Sequence, residues 1–429
     1  MLAETELQAI EKPNCHIMRL PEDLVRQLFR YLPELCDKVR LASTASKFRL
    51  AFEDWARVRR NELVAEDVEM MRLPDIIDFF SIAGPFIKVL HVDCASFQKE
   101  SLLVEFMAEF CKNIEEINFT NVTDDFHYHA LLARLTKLRR VSIDCMDAED
   151  VLNFNLQGNR DLESFELING CYTGKHLCGF PKLQSLVLRD CLLWNSGEFG
   201  IPLKTLRSLD LDNCCFEVMN QSLYHKIAEC CVQLEELSFS GCDTNFEVIA
   251  QLCNCNLQRC TLKTWMTSNE LNIGFLSTLA EKKGNNLSYL KLAGQFQITN
   301  EHARYVGQLS SLKELHWSTN DVLDDDHFKF FNDLSGLEVL GLFWCGHVTD
   351  IGLMRMVRKC MKLKRIDLKE CDEVTDQFVL NAIAWLGKSS GRALVLNVDG
   401  TKIKQSLLSH ADYLAPQNNV KLVFTNVKA

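Results

Sequence analysis

Cys253, Cys255 and Cys260 lie close enough in the sequence to raise a metal site, and Cys214-Cys215 and Cys230-Cys231 add two thiol doublets. A structural zinc takes four ligands, commonly supplied as pairs two to four residues apart, and no second pair of Cys or His completes this set. Gly387-Lys388-Ser389 imitates the end of a phosphate-binding loop. The first glycine of such a loop is replaced by Ala382, however, and helical rather than strand spacing precedes it, so the triplet reads as a helix C-terminus. Asp321 with Asp324-Asp325-Asp326 is an acidic turn that lacks the glycine and spaced ligands of a calcium loop, and reads as solvated. Each doublet is expected to place one thiol in the core as a small apolar filler. No metal, cofactor or catalytic group is expected. The chemistry that remains is that of recognition, and its residues take their meaning from the elements that hold them.

Those elements repeat. Gly336-Leu337-Glu338-Val339-Leu340-Gly341-Leu342-Phe343-Trp344-Cys345 and Met361-Lys362-Leu363-Lys364-Arg365-Ile366-Asp367-Leu368-Lys369-Glu370-Cys371 share an L-x-x-L-x-L-x-x-C template. The same turn follows each copy, His347-Val348-Thr349-Asp350 and Glu373-Val374-Thr375-Asp376. A short strand with one apolar face buries that face against a like neighbour, so repetition of this kind implies a stack. Sliding the template along the chain puts its first apolar position at Ile87, Ile114, Leu138, Leu162, Leu183, Leu206, Leu234, Leu257, Leu287, Leu312, Leu337, Leu363 and, more weakly, Ala393. Alternation along a strand points i+3 and i+5 into the core and i+2, i+4 and i+6 to solvent. Between strands the spacing turns helical, as in Leu353, Met356, Val357 and Cys360 or Phe378, Ala382, Trp385 and Leu386. Thr349 and Thr375 stand where a hydroxyl can cap the helix that follows.

In this register the outward positions of the early units run acidic: Asp93, Glu116, Glu166, Asp210, Asp212 and Glu236. From Leu257 onward they change to Arg259, Lys263, Tyr289 and Lys291, followed by His316, Phe343, Trp344, Arg365 and Lys369. Aromatic and Arg side chains combine contact area with directed bonding and are enriched among the energetic anchors of interfaces. Arg259, Lys263, Tyr289, Lys291, His316, Phe343 and Trp344 are therefore the candidate docking residues for a protein partner.

The 429 residues suggest about three domains by length alone, but a repeat array grows around one continuous core, which leaves two functional parts. A net charge of −11 opposes nucleic acid as a partner. Met1 to Ile10 carries Glu4 and Glu6 and has no basic start or long apolar run, so no secretory signal is expected. Asp78, Gly84, Pro85 and Lys88 interrupt the longest apolar stretch, which argues against a membrane span. The chain is read as cytoplasmic or nuclear, with its nineteen cysteines as free thiols.

The template resembles the cysteine-containing class of leucine-rich repeat, over residues 86–429. Cys191, Cys214, Cys242, Cys345 and Cys371 fit the i+8 site, while Trp265, Gln295 and Asn320 replace the cysteine in the middle units, and the bulk of Trp265 predicts a local distortion of the arc there or an exposed ring. What the resemblance implies is an α/β leucine-rich-repeat horseshoe solenoid.

Ahead of the array, Arg19-Leu20-Pro21-Glu22-Asp23-Leu24-Val25-Arg26-Gln27-Leu28-Phe29-Arg30-Tyr31-Leu32-Pro33 predicts a helix opened by Pro21, favoured by acidic residues in its first turn and stopped by Pro33. Two further short helices are expected through Leu35, Val39, Leu41, Ala42, Phe48, Leu50, Phe52 and Trp55. Leu24 and Leu28 form one stripe and Val25, Phe29 and Leu32 another, more apolar surface than a segment of about forty residues covers alone. This stretch, with Lys38-Val39-Arg40-Leu41-Ala42-Ser43 and Phe48, resembles an F-box. The resemblance implies docking on the Skp-family adaptor of an SCF-type cullin ubiquitin ligase through Leu20, Pro21, Leu24, Leu28 and Leu32, with Val39 and Leu41 behind them. The repeats would then hold a substrate protein. Helical capping of the repeat array is the alternative for this segment, and the alternatives for the chain are a leucine-rich-repeat scaffold or inhibitor acting without ubiquitination and an F-box protein that binds the adaptor without promoting substrate modification. Residues 1–17 are read as a flexible tail, 18–56 as the three-helix F-box and 57–85 as a helical connector and cap. That connector reads as stiff, helical from Arg57 to Asp78.

Overall fold

The computed structural model describes residues 16–424 except 60, 96–99, 124–128, 147–155, 157, 175–176, 195–203, 217–230, 241–255, 264–272, 284–285, 296–297 and 390–391. The tail before residue 16, Cys230, Cys242, Cys253, Cys255 and Trp265 lie outside the described residues. The chain divides into two units, Met1–Pro202 and Leu203–Ala429.

The first unit opens with three helices, α1 (Glu22–Tyr31), α2 (Leu35–Ala42) and α3 (Ser46–Arg59). Pro21 precedes the first turn of α1, Glu22 and Asp23 occupy that turn, and the backbone becomes extended at Leu32 before Pro33. One stripe of α1 faces inward: Val25 and Phe29 are buried with Val39, Ala42, Phe48 and Phe52. The Phe29 and Phe52 rings lie 5.8 Å apart, and Trp55 stacks on Phe52 at 5.4 Å. Lys38 is buried because its ammonium donates to the free carbonyls of Leu32 and Pro33 and lies 5.2 Å from the centre of the Trp55 ring.

The helical connector expected over Arg57 to Asp78 is replaced by a rung of the ladder. Strand β1 (Glu62–Val64) pairs in parallel with β2 (Val89–Asp93), Glu62 opposite Val89 and Val64 opposite His91, so the array begins about one repeat before residue 86. Only Leu63 of β1 turns inward, and the Asn61 carbonyl accepts from the amides of Lys88 and Val89. A three-residue strand leaves almost no period to read. Helices α4 (Glu66–Glu69) and α5 (Leu73–Ala83) complete the rung. The three-helix segment is fastened to α5 through Asp75, whose buried carboxylate accepts from Arg40 Nε at 3.1 Å and from Arg72 at 3.1 and 3.3 Å.

Parallel strands β3 (Glu116–Val122), β4 (Arg140–Cys145), β5 (Ser164–Ile168) and β6 (Ser185–Arg189) continue the first unit. In the second unit, β7 (Ser208–Leu211), β8 (Glu236–Ser240), β9 (Arg259–Lys263), β10 (Tyr289–Ala293), β11 (Glu314–Ser318), β12 (Val339–Phe343), β13 (Arg365–Lys369), β14 (Leu394–Asn397) and β15 (Val420–Val423) pair in parallel in chain order. Its helices include α6 (Ile273–Lys283), α7 (Asn300–Gly307), α8 (Asp350–Lys359) and α9 (Asp376–Ser389).

Every first template position from Ile87 to Leu363 is buried. Ala393 is exposed: β14 keeps the register, Val395 opposite Arg365, yet it is Leu394 that turns inward. The seventh position after the first apolar residue bends into left-handed backbone in most repeats, at Asn121, Asn169, Asp190, Asn213, Thr319, Trp344 and Glu370, and at Gly294 and Gly400. At the eighth position four repeats turn a side-chain donor into the stack. The thiols of Cys191, Cys345 and Cys371 point to the carbonyls of Leu167, Trp317 and Leu342 at 3.4, 3.6 and 3.4 Å. Asn320 does the same work in its repeat. Its amide donates to Gly294 O at 3.1 Å while its oxygen accepts from the amides of Val322 and Leu323. On the helical side, Thr349 and Thr375 cap their helices as expected, accepting from Ile351 N and Gln377 N at 3.2 Å.

Candidate interaction surfaces

The residues expected to meet an adaptor divide by exposure. Pro21 and Leu24 are exposed, Leu20, Leu28, Leu32 and Leu41 are partly exposed, and Val39 has no exposed surface. Val39 therefore supports the helices from within. Tyr31, 84% exposed, continues the Leu24 and Leu28 stripe at helical spacing. The approach to α1 is pinned by Lys47, whose ammonium donates to the carbonyls of Met18 and Leu20 at 3.0 and 2.6 Å.

The second surface lies on the solvent face of β9 to β13. Strand register sets Arg259 beside Tyr289 and Glu314 along one row, Thr261, Lys291, His316, Gly341 and Asp367 along the next, and Lys263, Ala293, Ser318, Phe343 and Lys369 along a third. The Arg259 guanidinium stacks 3.9 Å from the centre of the Tyr289 ring. Tyr289 meets the His316 ring at 5.3 Å, and His316 lies parallel to Phe343 at 6.5 Å. Burial outweighs the Glu314 carboxylate, 3.6 Å away, and holds the His316 imidazole below its ordinary pKa. Burial also raises the Tyr289 hydroxyl.

The charges of this face are mostly compensated. Lys263 is paired with Asp212, which also accepts from Ser240 Oγ at 2.5 Å. Arg365 Nε meets Asp367 at 3.0 Å, and Asp367 accepts from Asn397. Arg259 stands 3.7 Å from Glu236. Lys291, half-buried, has no ion pair among the described residues, and burial, with the nearby Lys263 ammonium, lowers its pKa. The acidic positions of the first unit are matched in the same way: Glu116 meets Arg140 at 2.5 Å and Glu166 accepts from Ser142 at 2.9 Å.

Sequence reasoning brought the seven candidate docking residues onto one sheet face and its rim, where Trp344 is 54% exposed with left-handed backbone at φ 52°. It missed Gly341 and Asp367. Gly341 leaves the space into which the His316 ring folds, since a β-carbon there would lie 2.2 Å from His316 Nδ1. The acidic turn is structural at its centre rather than merely solvated: Asp325 accepts from Thr349 N at 3.0 Å and Thr349 Oγ1 at 2.6 Å, locking one repeat to the next. Gly387-Lys388-Ser389 ends helix α9, Cys260 is buried on β9, and Cys214 is buried beside an exposed Cys215. Among the described residues no three Cys, His, Asp or Glu side chains cluster to hold a metal, and no helix is long and apolar enough to cross a membrane.

One parallel strand per repeat with inward leucines, joined in most repeats by a left-handed seventh position, defines leucine-rich repeats of the α/β kind in both units. No family model matches the sequence, and no curated protein matches it. Among solved structures, an internalin from Listeria monocytogenes is similar over 74% of this chain and 89% of its own, at 13% identity and a TM-score of 0.44. A Leptospira interrogans leucine-rich-repeat protein is similar over 85% and 96%, at 16% identity and 0.42. The yeast Rad7 and Elc1 complex is similar over 94% of this chain and 92% of that one, at 16% identity and 0.39.

Proposed function

We propose that the chain is the substrate-recognition subunit of an SCF-type cullin ubiquitin ligase, its N-terminal helices binding a Skp-family adaptor and its repeats binding the protein to be modified. The observation that carries this reading is the unused face of α1. Val25 and Phe29 fill the local core, whereas Leu24, Leu28 and Tyr31 line a second stripe on which the described residues place no complete cover. An amphipathic helix with anchors at such spacing suits an apolar groove on a partner. Ubiquitin transfer belongs to other subunits in this reading, and the chain acts by raising the effective concentration of its cargo. It works without a cofactor, in the cytoplasm or nucleus.

Asp75, clasped by Arg40 and Arg72, favours a second reading, in which the three helices serve as the end cap of a protein-binding scaffold that acts without ubiquitination. The test compares the proteins captured by the full chain in cells carrying wild type or the Leu20→Ala, Pro21→Ala, Leu24→Ala variant. The ligase reading expects a captured partner to gain ubiquitin with the wild type and to lose it with the variant. Partners captured equally and never ubiquitinated support the scaffold.

A further inference from the structure

We propose that Lys291 is the seat for a single carboxylate, an Asp or Glu side chain of a linear segment in the partner protein. This inference rests on the reading that the repeats dock a protein. Lys291 stands at the middle of β10, opposite Thr261 on one side and His316 on the other. The neighbouring cations are engaged: Lys263 by Asp212, Arg259 by Tyr289 and Glu236, Arg365 by Asp367. Lys291 alone of these lacks an ion pair among the described residues, although its half-buried position and the like charge of Lys263 together outweigh the attraction of the Asp212 carboxylate and disfavour its ammonium. An incoming anion relieves that penalty. His316 contributes a wall rather than a charge, because burial favours its neutral ring.

The surroundings select among anions. A phosphate is held best by guanidinium forks, and both Arg259 and Arg365 are already committed to their own strands' neighbours. Asp212 and Glu314 flank the seat and would repel a dianion more strongly than a monoanion. One ammonium with carboxylates nearby fits one carboxylate. The rings of Tyr289 and Phe343, on either side of His316, give the residues flanking that acid an apolar floor.

The test displays random linear peptides to the full-length protein and counts residues enriched at each position. Wild type is expected to select one fixed acidic position, and a synthetic peptide from the best clone to bind about tenfold more weakly when that acid is made its amide. Lys291→Met abolishes the acidic preference, Lys291→Arg keeps it and Lys291→Glu turns it to Lys or Arg. Replacing the acid by phosphoserine weakens binding; a tighter phosphoserine peptide overturns the carboxylate assignment. Clones that depend on Tyr289 and Phe343 yet show no acidic position overturn the seat and leave the docking face standing. Clones indifferent to Tyr289→Ala and Phe343→Ala overturn both.

Discussion

Gly341 on β12 and His316 on β11 share one space: a β-carbon on the glycine would stand 2.2 Å from the imidazole Nδ1. Gly341→Ala must therefore move the ring and open the Tyr289, His316, Phe343 stack. The expected cost is about 1 to 3 kcal/mol, read as a lower urea midpoint, together with weaker partner capture. Adding His316→Ala removes the overlap and recovers part of the midpoint, a coupling that a double-mutant cycle measures.

Trp344 predicts an exchange of stability for binding. Its left-handed backbone is occupied by Asn at 121, 169 and 213, a residue that tolerates that conformation. Trp344→Asn is expected to stabilise the protein by about 1 kcal/mol in urea unfolding and to weaken partner capture, because the exposed indole is lost. A variant that binds as well as wild type would remove Trp344 from the docking face.

Asp325→Ala leaves the amide and hydroxyl of Thr349 without their acceptor. The loss is expected at about 1 to 3 kcal/mol, read in urea. Asp350 holds Thr375 in the same way, at 2.8 and 2.6 Å, so Asp350→Ala should match it.

Asp75 makes the junction between the three helices and the first repeats sensitive to acid. Burial pushes its carboxyl up, but hydrogen bonds and charge from Arg72 and Arg40 outweigh this and hold its pKa below the ordinary value. A carboxylate lowered on folding stabilises fully above its unfolded pKa, about 3.9, and loses that contribution as pH falls through the folded value. The stability gap between wild type and Asp75→Asn should be constant from neutral pH down to about pH 5 and close below about pH 4.

The sequence made the ladder legible because period-two burial repeats wherever a full template fits, as at Leu337, Leu340 and Leu342. It hid β1, where Leu63 alone carries the pattern, and it misread residues 57–78 as one helix. The α1 stripes were visible because helical spacing separates Val25 and Phe29 from Leu24 and Leu28. The clamps were not: Asp325 and Thr349 are 24 residues apart and meet only through the repeat length. Gly341 gave no local sign, since its role is to vacate space for a residue on the preceding strand.

Adaptor binding is measured most directly by co-purification with the full-length chain. Wild type should carry a Skp-family adaptor at near equal amounts, and the Leu20→Ala, Pro21→Ala, Leu24→Ala variant should lose it while keeping the wild-type urea midpoint, since Pro21 and Leu24 are exposed and Leu20 is partly so. A wild-type chain that carries no adaptor, or a variant that retains it, would contradict the account.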